Sequence, residues 1–137
     1  MNKKNYVIGG IIVVLVIVLG VALLGSRSYR GSPVILSATM SRSMDLKDKA
    51  NVFDSKKDKV IYEILSLGNV KKTTKISYVR YLNDKYIDSK VTTPSMDGVT
   101  TLYFSFEKGV GNYPKGQYKI VNYINGKKSI STNYSFN

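Results

Sequence analysis

The sequence contains no cysteine and no histidine, and these two absences exclude several kinds of chemistry. Without cysteine there is no disulfide framework and no thiolate nucleophile. Without histidine the chain lacks the usual general base near neutral pH and the most common metal ligand. No loop has the ligand spacing of a calcium site, and no glycine-rich loop joins a strand to a helix as a nucleotide site requires. We therefore expect no metal site and no cofactor.

Acidic residues are scarce as well. The chain has 9 Asp and Glu against 21 Lys and Arg, so its formal net charge is +12. This excess of positive charge favours anionic partners or surfaces. The 11 tyrosines raise the alternative of single-stranded nucleic acid bound by stacking on aromatic rings. Because half or more of these tyrosines are expected in the core or in cross-strand pairs, we expect no nucleic acid partner.

The longest apolar run lies near the amino terminus and extends without charge from Val7 to Gly25. At helical rise it spans about 28 Å, close to the thickness of the hydrocarbon core of a bilayer. Such a run is typical of a membrane helix, because a helix bonds its own backbone groups within lipid. We predict a cytoplasmic stub and transmembrane helix over residues 1–25 and a short linker over 26–33. The alternative is a cleaved signal peptide that ends near "GVALLGS".

The orientation of this helix rests on flanking charge. Lys3 and Lys4 precede the apolar run, and Arg27 and Arg30 follow it. The positive-inside rule therefore gives only a small preference for a cytoplasmic amino terminus. We expect a single-pass protein of the cell membrane whose carboxy-terminal domain is extracytoplasmic.

Residues 34–137 predict an all-β fold, since short apolar-polar alternations are separated by turn residues. Segment 60–67 is almost continuously apolar apart from Glu63, and its β-branched and aromatic residues favour a strand over a short helix. The charged segment 41–59 is expected on the surface, with Val52 and Phe53 turned toward the core. Further strands are expected at 34–40, on both sides of the Asn83-Asp84 turn, and at 99–106, where Leu102, Phe104 and Phe106 share one face.

The clearest prediction is for the last two strands, in the segment "YPKGQYKIVNYINGKKSISTNYSF". Pro114 and Gly116 predict a turn, and Asn125-Gly126 supplies the two positive-φ residues of a type I′ hairpin. Asn122 falls on the predicted inner face, where no pattern in the sequence accounts for it. About seven strands of even spacing indicate an antiparallel β-sandwich. The predicted faces of the first of these two strands are Tyr118, Ile120 and Ile124 on the inside and Lys119, Val121 and Tyr123 on the outside.

This segment resembles the closing strands of prokaryotic extracellular immunoglobulin-like domains. Their pattern is aromatic-Pro-x-Gly-x-Tyr, alternating apolar residues, a glycine turn and a terminal Phe. Gly116-x-Tyr118 lies where the tyrosine corner of such sandwiches would be, a tyrosine whose hydroxyl bonds to nearby backbone. The resemblance implies an immunoglobulin-like sandwich over residues 34–137 and a display or binding role outside the cell. The resemblance implies no functional residues, because the residues of this hairpin motif are structural: Pro114, Gly116, Tyr118, Asn125 and Gly126.

Lysine clusters are the remaining functional signal. They lie at Lys56, Lys57 and Lys59, at Lys71, Lys72 and Lys75, and at Lys127 and Lys128. One interpretation is an ordinary solvated surface. The other is attraction to anionic envelope polymers or lipid headgroups. We take Lys71, Lys72, Lys127 and Lys128 as the candidate anionic contacts.

Together these features predict a membrane-anchored extracytoplasmic binding module that contacts an envelope component or a partner protein of a surface complex, and not an enzyme. A pilin-like subunit of a surface filament is the first alternative. A hydrolase that uses carboxylates alone is the second, and it would need two acids converging in a cleft. The acids that could be paired in this way are Asp45 with Asp48 and Asp84 with Asp88.

Overall fold

The computed structural model describes residues 31–108, 111 and 113–137, and it confirms the prediction of an all-β fold. The predicted stub, the membrane helix and most of the linker lie outside these residues. In the part of the chain that is described, no helix is long and apolar enough to span a membrane. The strands are β1 (Val34–Ser41), β2 (Val52–Phe53), β3 (Val60–Val70), β4 (Ile76–Leu82), β5 (Lys85–Thr92), β6 (Gly98–Glu107), β7 (Gly116–Ile124) and β8 (Lys127–Phe136).

Two sheets pack face to face as a sandwich. The smaller sheet has the order β1-β3-β6, and the larger has the order β2-β8-β7-β4-β5. Neighbouring strands are antiparallel except for β2 and β8, which are parallel. The chain changes sheet repeatedly, and the turn between β3 and β4 is one of the connections that carry it from the smaller sheet to the larger. Apart from Glu63 and Asn122, the alternate residues that face the core are mostly apolar, as half-buried strands require.

The described residues form eight strands where about seven were predicted. The additional strand is β2, which lies within the segment predicted to be a surface connection. Phe53 is 1% exposed there, whereas its neighbour Val52 points to solvent. The amide of Ser135 donates to Asn51 O, and the amide of Asn137 donates to Phe53 O. A buried aromatic ring and backbone pairing with β8 therefore hold this charged segment against the sandwich.

Aromatic rings fill much of the space between the sheets. Leu102, Phe104 and Phe106 are buried on one face of β6, as their alternation predicted. Tyr78 from the opposite sheet meets Phe104 edge-on, with 4.7 Å between ring centroids. Val121 was predicted to lie on the outer face of its strand, exposed to solvent. It is only 4% exposed, so this prediction of exposure is wrong. The larger sheet therefore buries side chains on both faces at its centre.

The two hairpin turns have the backbone that their residues predict. Asn83 and Asp84 have φ values of 49° and 67°, and Asn125 and Gly126 have values of 49° and 83°. Tyr118 donates its hydroxyl hydrogen to the carbonyl oxygen of Pro114 at 2.6 Å, which is the backbone bond predicted for a tyrosine corner.

Candidate anion-binding surface

Two turns that are distant in sequence meet at one end of the sandwich. The amide of Lys75 donates to Asn125 Oδ1 at 2.9 Å. In return, the amide of Asn125 donates to Lys75 O at 2.8 Å. This reciprocal pair ties the β3–β4 turn to the β7–β8 hairpin. It brings the two halves of the predicted anionic contact, Lys71 with Lys72 and Lys127 with Lys128, to the same end.

A third connection joins them. The amide of Lys72 donates to Asp97 Oδ1 at 2.8 Å, which holds the β5–β6 connection beside the β3–β4 turn. Within that turn, the amide of Thr74 donates to Lys71 O, and the amide of Lys71 donates to Thr74 Oγ1. These bonds fix the backbone while leaving the lysine side chains free to point outward. We call this surface the basic end, and its cations are Lys71, Lys72, Lys75, Lys127 and Lys128.

The basic end has little compensating charge. All five lysines are exposed, and none forms an ion pair within the described residues. Asp97, in the β5–β6 connection, is the acidic residue that bonds to this end, and its Oδ1 already accepts from the backbone amide of Lys72. Unpaired ammonium groups attached to fixed backbone present a concentrated positive potential, which attracts anions over about a Debye length.

The third predicted lysine cluster lies elsewhere and has a different environment. Lys56 and Lys57 sit in a turn where both of their amides donate to Asp54 Oδ1. These bonds hold the pKa of the Asp54 carboxyl below its usual value. The carboxylate of Asp58 lies in the same turn and accepts from Arg42 at 2.9 Å. Acids are therefore interspersed with the lysines here, and the cluster is a mixed surface and not a basic one.

Three of the four acids considered for hydrolysis, Asp45, Asp48 and Asp88, bond to nearby side chains or backbone. Asp88 accepts two hydrogen bonds from Arg80, at 2.9 and 2.6 Å. Asp45 accepts from the Ser43 hydroxyl and from the Lys47 amide in an exposed loop. Among the described residues, no group of three or more Asp and Glu side chains could hold a metal ion. Asp84 occupies the β4–β5 turn with a positive φ.

A cleft of about 280 Å³ opens between β1 and β8, at the side of the sandwich. Met40 and Thr132 lie on its walls, and Lys49, Asn51 and Asn133 supply its polar groups. No carboxylate lines it, so this cleft lacks the paired acids that a carboxylate hydrolase would need.

The least expected polar group is a pair buried between the sheets. Asn122 Nδ2 donates to Glu63 Oε1 at 2.9 Å, and neither residue is exposed. Glu63 was visible in the sequence as the interruption of an apolar run, and Asn122 as a polar residue on an inner face. Burial raises the pKa of Glu63 to about 7, although the hydrogen bond from Asn122 opposes this shift. This pair belongs to the core of the sandwich and is not part of its surface.

Comparisons with known proteins bear on the fold alone. No family model matches the chain, and no curated protein matches it. The chain is similar to a solved structure of the Pseudomonas fluorescens alkylpurine DNA glycosylase AlkC bound to DNA containing an abasic site analog. The TM-score is 0.53 at 10% sequence identity, and the match covers 85% of this chain. It covers 33% of that chain, so this protein spans about a third of its neighbour's length.

Proposed function

We propose that this protein is a membrane-anchored extracytoplasmic binding module, in which an immunoglobulin-like sandwich contacts an anionic component of the cell envelope through its basic end. The carrying observation is the convergence of Lys71, Lys72, Lys127 and Lys128 at one end of the sandwich. These residues come from two turns that are about fifty positions apart in sequence. The bonds between the turns continue the β4–β7 ladder, in which Ile76 pairs with Ile124, so strand register holds the two turns side by side.

Three further features support the proposal. The apolar run from Val7 to Gly25 has the length of a membrane span. The hydrogen bond from Tyr118 to Pro114 is the one that the immunoglobulin-like resemblance implies. At least one acid of each pair considered for catalysis is engaged, Asp88 with Arg80 and Asp45 with Ser43 and a backbone amide, which favours a binding role over a hydrolytic one.

Membrane retention is the first test. The full chain is expressed, membranes are washed with carbonate at high pH, and the mass of the mature protein is determined. An intact protein that starts at Met1 and stays in the membrane supports an anchor. Cleavage just before or inside the apolar run would instead favour a filament subunit, and release into the soluble fraction would contradict the proposal.

Anion binding is the second test. Replacing Lys71, Lys72, Lys127 and Lys128 by Gln removes four charges at the basic end. The matched control replaces Lys56, Lys57, Lys59 and Lys85, so both detergent-solubilised proteins lose the same net charge. On a polyphosphate resin, we expect the first variant to elute at clearly lower salt than the control. Equal elution of the two variants would show that net charge alone governs binding, and the basic end would have no special role.

A further inference from the structure

The sandwich begins at its basic end. Val34, the first residue of β1, pairs with Gly68 near the end of β3. Lys71 follows Gly68 by three residues, so it lies within about 10 Å of the point where the chain enters the domain. The β7–β8 hairpin, with Lys127 and Lys128, is tied to the same end through Lys75 and Asn125.

The linker keeps this end close to the apolar run. Residues 26–33 connect Gly25 to Val34, and even a fully extended chain of that length spans at most about 30 Å. A surface held this near a bilayer encounters headgroups at a high effective concentration. Chain connectivity therefore turns the basic end, and not the opposite end, toward any membrane in which residues 7–25 are embedded.

Apolar side chains accompany the lysines at this end. Met96 is 51% exposed and lies beside Asp97, which is bonded to Lys72. Val99 is 53% exposed at the start of β6, and Val34 is 37% exposed at the start of β1. Tyr86 and Ile87 are exposed to a similar degree at the opposite end, so it is lysine charge and chain connectivity that distinguish the basic end.

We infer that the basic end docks on anionic lipid headgroups of the bilayer from which the chain emerges. This inference rests on the proposed membrane anchor and names the anionic partner of the same surface. Lysines near an anionic leaflet each favour binding by about fivefold, and the linker makes this an intramolecular contact. Docking orients the sandwich upright, with the β4–β5 hairpin and the Pro114–Gly116 turn at the end distant from the lipid.

The absence of cysteine permits a direct test in the full chain. Ser95→Cys places a fluorophore at the basic end, in the β5–β6 connection. Ser105→Cys places it near the other end of β6, opposite Tyr62 and about 24 Å along the strand. Both positions are exposed. The proteins are reconstituted in vesicles that contain a headgroup spin label, with either 30% phosphatidylglycerol, roughly the charge of an anionic leaflet, or phosphatidylcholine alone.

On anionic vesicles, we expect quenching at position 95 to be stronger than at position 105 by about threefold or more. The combined substitutions Lys71→Gln, Lys72→Gln, Lys127→Gln and Lys128→Gln should reduce quenching at position 95 to its value on neutral vesicles. The control variant with Lys56→Gln, Lys57→Gln, Lys59→Gln and Lys85→Gln should keep the quenching of the unsubstituted protein. Equal quenching at the two labels, or no effect of the four substitutions, in protein that still floats with the vesicles would overturn the docking inference alone.

Two other outcomes are also decisive. If the protein does not float with vesicles, both the anchor and the docking inference are wrong. If polyphosphate binding depends on the four lysines while quenching at position 95 does not, the basic end serves a polymer and the lipid assignment is overturned.

Discussion

Asn122 and Glu63 face each other across the core, with Nδ2 of the amide 2.9 Å from Oε1 of the carboxyl. Each residue lies on an inner strand of its sheet, and neither is exposed. Glu63 Oε2 and Asn122 Oδ1 have no hydrogen-bond partner among the described residues. Burial raises the pKa of Glu63 by more than Asn122 and the nearby Thr132 hydroxyl lower it. Protonation removes the negative charge from this buried site and gives the carboxyl one hydrogen that it can donate. Burial is the main cause of the raised pKa of Tyr78, and the negative charge of Glu63 adds a smaller contribution in the same direction.

The first prediction is that stability falls as the pH rises from 5 to 8. Burial raises the pKa of Glu63 from 4.5 to about 7, so the folded state holds a proton that the unfolded state has released. The contribution of Glu63 to stability is complete below its pKa in the unfolded state, 4.5, and is lost as the pH rises through its pKa in the folded state, about 7. The shift corresponds to roughly 3 kcal/mol in the free energy of unfolding. Urea denaturation at several pH values between 5 and 8 measures how the free energy of unfolding changes with pH.

Glu63→Gln tests the cause of this pH dependence. Its amide can both donate to and accept from Asn122 without ionising, so the slope between pH 5 and 8 should largely disappear. Glu107→Gln is the control, because Glu107 is exposed at the end of β6. An unchanged slope in the Glu63 variant would contradict the assignment.

The second prediction concerns the tyrosine corner. Tyr118→Phe removes the hydroxyl that donates to Pro114 O at 2.6 Å and leaves that carbonyl without this partner. We expect a loss of about 1–2 kcal/mol in the free energy of unfolding. Tyr103→Phe removes a hydroxyl from an exposed residue of β6 and should change stability little. Similar losses of unfolding free energy in the two variants would mean that the Tyr118–Pro114 hydrogen bond does not stabilise the fold.

The third prediction concerns Arg80, which is packed 4.2 Å from the ring centroid of Phe106. Asp88 binds it through both carboxylate oxygens, and the side chain of Arg80 is 12% exposed. Asp88→Asn leaves this charge without its counterion and should cost about 2 kcal/mol, reduced by the partial exposure of Asp88. Asp84→Asn, in the same hairpin, should cost less than about 0.5 kcal/mol. Chemical denaturation compares them, and equal stability of the two variants would be the contrary result.

The fourth prediction concerns Gly116, whose φ is 144°. A Cβ at this position would lie 2.9 Å from side-chain atoms of Asn83 and Leu82. Asn83 also accepts from the Gln117 amide, so it cannot move away without losing that bond. Gly116→Ala should therefore destabilise the fold by about 2 kcal/mol or more, through backbone strain and crowding. Gly31→Ala, where a Cβ meets no atom within 4 Å, should leave the melting temperature nearly unchanged.

Much of the secondary structure could be predicted because it depends on local sequence. Period-two alternation in β6 placed Leu102, Phe104 and Phe106 on the buried face. Asn125-Gly126 predicted a turn with two positive φ values, since these residues tolerate that backbone at little cost. The strand β2 could not be predicted in this way. Its two residues carry no periodicity, and its formation depends on the edge of β8, more than eighty positions later.

The sequence by itself determined an all-strand fold over residues 34–137, its hairpins and its lack of histidine and cysteine chemistry, because composition and alternation are properties of neighbouring residues. Only the tertiary structure decided which distant residues meet. Glu63 and Asn122 are 59 positions apart and become partners only when two sheets pack face to face. The lysines of the basic end likewise share one surface because the backbone of Lys75 bonds to Asn125. Local patterns fix which way a side chain faces, whereas strand order and sheet packing fix what it faces.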